Sequence, residues 1–90
     1  MIEEKLKLRE GIELRVLGEE ALLYDQNENM VHVLNQSAAY IIDLCKEEAK
    51  VSDIIDFFAK KYSIAAEEAK EDVENAIKEF KRLNIFEGGE

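Results

Sequence analysis

The sequence has no proline and no tryptophan, one cysteine, one histidine and four glycines in 90 residues. Positive charge is also scarce, with 12 Lys and Arg against 21 Asp and Glu, for a net charge of -9. Each shortage excludes something. A lone cysteine, Cys45, forms no internal disulfide, and together with a lone histidine, His32, it supplies too few ligands for a three- or four-ligand metal site. A polyanion needs cations that displace its counterions, so nucleic acid is not an expected partner. The deficit is even along the chain: residues 1–45 carry 4 basic and 9 acidic groups, and residues 46–90 carry 8 and 12. No basic arm hides in the average.

Apolar runs of membrane-spanning length are missing, and Met1 to Lys5 lack the apolar stretch of a secretory signal. These absences predict a cytoplasmic chain without a membrane partner. No proline or Ser/Gly-rich linker divides the chain, so a single domain is expected over 1–90, with its core at about 12–86. At this length nearly all apolar residues must serve one core, which leaves little for an enclosed active-site cavity.

What is present falls into a β-type front third and an α-type remainder. Ile12, Leu14 and Val16 alternate with Glu13 and Arg15, and the segments 21–24 and 30–34 follow at strand length. Gly18 marks the first turn and Asp25 to Asn29 the second, since Asp and Asn side chains bond nearby backbone and tolerate left-handed conformations. Past Asn35 the period becomes helical. Ala38, Ile41, Ile42 and Cys45 form one stripe, with Asn35 or Ser37 as N-cap. A second helix is expected from about Ser52, taken as its N-cap, with Ile54, Ile55, Phe58 and Tyr62 on one face. A third starts near Ala66 and carries Ala69, Val73, Ala76, Ile77, Phe80 and Leu83. Asn84 suits a left-handed stop, after which Ile85 and Phe86 fold back onto the core, and the last three residues fray.

The expected fold is therefore α+β and winged-helix-like: an N-terminal three-stranded antiparallel sheet followed by three helices. The second and third helices resemble a helix-turn-helix, but the N-terminal part of the third carries Glu67, Glu68, Glu71, Asp72 and Glu74, where a DNA reader faces base edges. That charge order complements the helix dipole, with Lys78, Lys81 and Arg82 at the other end.

Catalytic and metal readings fail on the residues. Cys45 lies on an apolar helical stripe and His32 on a strand, so no nucleophile and base are paired. Asp25, Asn27 and Asn29 mimic the start of a calcium loop, but Met30 and Gln36 stand where that loop needs Gly and a bidentate Glu. No cofactor is implied, and no enzyme activity is expected.

The segment Met30-Val-His-Val-Leu34 carries no formal charge, although the meander places it at a sheet edge. Edges are normally guarded, as the opposite strand is by Glu13 and Arg15. An unguarded edge invites a partner strand, with alternate side chains entering pockets beside it. Its alternative occupants are the last helix or a second copy of this chain.

Leu34-Asn-Gln-Ser-Ala-Ala39 followed by Ile41-Ile-Asp-Leu44 resembles the junction between last strand and first helix in PqqD-like proteins. Val51-Ser-Asp-Ile-Ile55 with Tyr62, Asp72-Val73 and the ending Leu83-Asn-Ile-Phe86 resemble the helices that follow. Lys46-Glu47-Glu48 and Asn84 depart from the family's usual turn residues. The resemblance implies a recognition element for ribosomally made, post-translationally modified peptides, which binds a precursor's leader peptide and presents it to a modifying enzyme, often a radical SAM protein, in natural product biosynthesis. It implies leader binding beside the last strand, at Val31, His32 and Val33, against a wall drawn from Asp72, Val73, Ala76, Ile77, Phe80 and Lys81. Two other readings stand beside it: a winged-helix transcriptional regulator, and a self-associating subunit that forms a homodimer through the uncharged edge.

Overall fold

The computed structural model describes residues 4–87; the C-terminal Gly-Gly-Glu expected to fray lies outside them. The elements are β1 (Lys5–Leu6), β2 (Ile12–Leu17), β3 (Glu20–Asp25), β4 (Met30–Leu34), α1 (Gln36–Leu44), β5 (Ala49–Lys50), α2 (Val51–Tyr62) and α3 (Ala66–Arg82). β2, β3 and β4 form the antiparallel meander, in that order, and three helices follow it. The α+β architecture is the one the periodicities predict.

The turns form for local reasons. Gly18 and Glu19 close a two-residue hairpin between Leu17 and Glu20, and Gly18 takes φ 64°. A positive φ at the first turn position alone is the type II′ arrangement, which suits glycine there. In the second turn, Asp25 Oδ1 accepts from the backbone N–H of Asn27 at 2.9 Å and of Glu28 at 3.1 Å, and Asn29 takes φ 56°. The calcium-loop mimic is thus a turn whose first carboxylate bonds its own backbone. Asn35 caps α1, its side chain accepting from Ala38 N at 2.8 Å and from Ser37 Oγ at 3.0 Å.

The start of α2 corrects an expectation. Ser52 lies inside the helix and Lys50 is the N-cap, with no side-chain capping bond. The N–H of Val51 instead donates to the carbonyl of Glu4 at 3.0 Å, so a neighbouring backbone segment satisfies an orphan donor of the first turn. That segment is a further feature beyond the meander. β1 pairs with β5, Leu8 bridges to Phe86, and Leu8 N and Arg9 N donate to the carbonyls of Cys45 and Ile85, both at 2.9 Å. Leu6 and Leu8 are buried in the core, which therefore begins upstream of Ile12.

Leu23 and Ala21 from the sheet, Ile41, Ile42 and Cys45 from the α1 region, Ile54 and Phe58 from α2, and Ala69, Val73, Ile77 and Phe80 from α3 form that core. Asn84, at φ 61°, ends α3 and returns Ile85 and Phe86 to it. Phe86 meets Phe80 edge-on, with ring centroids 6.1 Å apart.

Candidate strand-edge groove

The hairpin fixes which backbone groups of β4 are free. Residues flanking a two-residue turn form a hydrogen-bonded pair, and such pairs alternate along the ladder. Starting from Leu17 and Glu20, the bonded pairs of β2 and β3 are Leu17–Glu20, Arg15–Leu22 and Glu13–Tyr24. Ala21, Leu23 and Asp25 must then direct their N–H and C=O at β4, where their partners are Leu34, His32 and Met30. Val31 and Val33 are left with both backbone groups pointing off the open edge.

Side chains alternate with the backbone. Val31 and Val33 share the outer face with Tyr24 and Leu22, and are 53% and 72% exposed. His32 and Leu34 share the inner face with Leu23 and Ala21. On that side an open cleft of about 810 Å³ separates the β4 edge from α3. Its remaining walls are Asn35, Ser37, Ala38 and Ile41 near α1, Phe58 of α2, and Asp72, Asn75, Ala76, Glu79, Phe80, Arg82 and Leu83 on or just after α3.

Of the residues expected at the site, Val31, His32, Val33, Asp72, Ala76 and Phe80 line this cleft. Val73, Ile77 and Lys81 do not. Val73 and Ile77 are buried core residues, and Lys81 faces away and pairs with Glu4. Asn75, Glu79, Arg82 and Leu83 were missed, as were the α1 residues. A stripe at 72, 75, 76, 79, 82 and 83 has the i, i+3, i+4 spacing that would have found the α3 set. It lies beside the apolar seam 69, 73, 77 and 80, and Ala76, Phe80 and Leu83 serve both surfaces.

The cleft's charged groups are partly spent on one another. Arg82 Nε donates to Glu79 Oε1 at 3.1 Å, and Nη2 bonds the second carboxylate oxygen. This bond holds the Glu79 carboxyl below its usual range and raises the Arg82 guanidinium. Asp72 has no ion-pair or hydrogen-bond partner among the described residues. Away from the cleft, burial pushes the Cys45 thiol up to about 12. No group of three His, Cys, Asp or Glu that could hold a metal occurs among the described residues. No helix there is long and apolar enough to cross a membrane.

Fold and site together define a small winged-helix-like α+β module that presents an open sheet edge beside a helix-walled cleft. The chain belongs to the family of coenzyme PQQ synthesis protein D (PqqD), whose model matches residues 20–85. No curated protein matches it. Two solved structures share the fold. One, TbiB1 in complex with the TbiA(beta) leader peptide, has a TM-score of 0.80 at 17% identity over 91% of this chain and 95% of that one. The other, lasso peptide synthetase B1 complexed with the leader peptide, has a TM-score of 0.76 at 20% identity over 90% and 95%.

Proposed function

We propose that this chain captures the leader of a ribosomally synthesised precursor peptide by strand addition to β4 and presents it to a modifying enzyme. The free N–H and C=O groups of Val31 and Val33, aligned beside an open cleft, are the observation that carries this reading. An added strand would place alternate residues over the cleft and the others beside the two valines. Family membership and the leader-bound state of both structural neighbours support the same assignment.

Magnitudes show why the cleft is needed. Four ladder bonds at about 1 kcal/mol net each supply roughly half of the 8 kcal/mol of a micromolar complex, before the cost of ordering the peptide. Apolar burial against the half-buried Ala38, Ala76 and Leu83 is the source for the rest.

The proposed role is non-catalytic and cytoplasmic, within one module over residues 1–90. Cys45 is buried and its raised thiol is no nucleophile. The modifying enzyme is proposed to be a radical SAM protein, as the PqqD likeness implies. A homodimer through β4 would compete for the edge. Titrating isotope-labelled chain with the precursor peptide encoded beside its gene should shift the amides of residues 30–34 and the cleft face of α3. Saturating peptide that leaves those amides unmoved would overturn the proposal.

A further inference from the structure

The cleft treats charges of opposite sign unequally. β4 carries no formal charge, so a strand lying on it meets ionised side chains only across the cleft, on α3. There the single cation, Arg82, is engaged in two hydrogen bonds by Glu79. Lys81 is drawn off to Glu4, and Lys78 lines a different depression with Ile77 and Glu74. Asp72 remains exposed and unpartnered at the cleft wall. An acidic side chain entering here meets an Arg82 whose charge Glu79 already offsets. A basic one finds Asp72 free.

We infer that the cleft selects a leader segment bearing Lys or Arg, through Asp72, and discriminates against acidic segments. This inference rests on the strand-addition reading and names the chemistry of its ligand. Asp72 is a specificity residue: it does not supply the ladder that holds the strand. Net charge alone would draw cationic peptides to this acidic chain without orientation, whereas selection by Asp72 requires them to sit on the β4 edge.

The test is selection of a displayed library of random peptides on the whole chain, with Val33→Pro as the counter-selecting surface. Only clones lost on Val33→Pro are counted, which confines them to the edge. In that set Lys and Arg should exceed Asp and Glu for the native chain. Asp72→Lys should reverse the order, whereas Asp56→Lys, an equal charge change on α2 outside the cleft, should leave it intact. Resynthesised basic peptides should bind Asp72→Lys about fivefold more weakly at low salt, with the gap closing as salt rises. Edge-dependent clones whose charge ignores position 72 would overturn the inference and leave strand addition standing. Failure to recover any edge-dependent clone would overturn both.

Discussion

Val33 on β4 stands opposite Leu22 on β3 as a pair that shares no ladder bond, so the N–H and C=O of Val33 face outward. The residue before it, His32, is bonded to Leu23 by the same alternation. One position thus separates a backbone group available to a partner from one that holds the sheet together.

Proline scanning of β4 should expose this alternation. Val33→Pro removes an outward donor and should abolish peptide binding with little change in the urea midpoint, because proline is tolerated where the N–H faces solvent. His32→Pro removes a bond to Leu23 and should cost about 1–3 kcal/mol of stability. Equal destabilisation by both would refute the assigned parity.

Filling the cleft should block it without harming the fold. Ala76 is half-buried on the cleft face of α3, so Ala76→Phe should weaken peptide binding at least tenfold by calorimetry, about 1.4 kcal/mol. The far-UV circular dichroism should be native. Unchanged affinity would place the peptide elsewhere.

The core side of the same helix should respond in the opposite sense. Val73 is fully buried, and Val73→Ala should lower stability by about 2 kcal/mol through lost apolar burial and a residual cavity. Peptide affinity, measured well below the melting temperature, should stay within about twofold. A selective loss of affinity would assign Val73 to the cleft.

Alkaline pH should reveal Cys45. An exposed thiol ionises near pH 8.5, whereas burial holds this one up to about 12. Its contribution is fully present below the unfolded-state value and is lost as pH rises through the window toward 12. The loss should reach about 1.4 kcal/mol per pH unit. In urea unfolding between pH 8 and 10.5 the stability advantage of wild type over Cys45→Ala should shrink accordingly, and parallel curves would show that the thiol ionises equally in both states.

Elements with an extended period were legible. The alternation at Ile12, Leu14 and Val16, the α3 seam at 69, 73, 77 and 80, and the turn chemistry of Gly18 and Asp25 each declare themselves within a few residues. β1 and β5 did not, because two-residue strands have no period and their pairing joins Lys5 to Lys50 across half of the chain. The start of α2 was misplaced for the same reason: the bond from Val51 to Glu4 is tertiary, while a serine at position 52 mimics a local cap. At the site, the uncharged β4 marks the edge. The cleft face of α3 is polar apart from Ala76, Phe80 and the following Leu83, so hydrophobic patterning does not mark it, and the family resemblance that supplied Val73 and Ile77 did not supply Asn75 and Glu79.

The bond from Glu87 N to Lys7 O, at 2.7 Å, brings the last described residue beside the first described segment, and none of the residues around it lines the cleft. A short tether between them would close the backbone into a ring with little strain and lower the entropy of the unfolded chain. The same adjacency suits the module to insertion into a loop of a larger host protein. Both connections would then enter and leave at one spot, with the β4 edge still open to solvent.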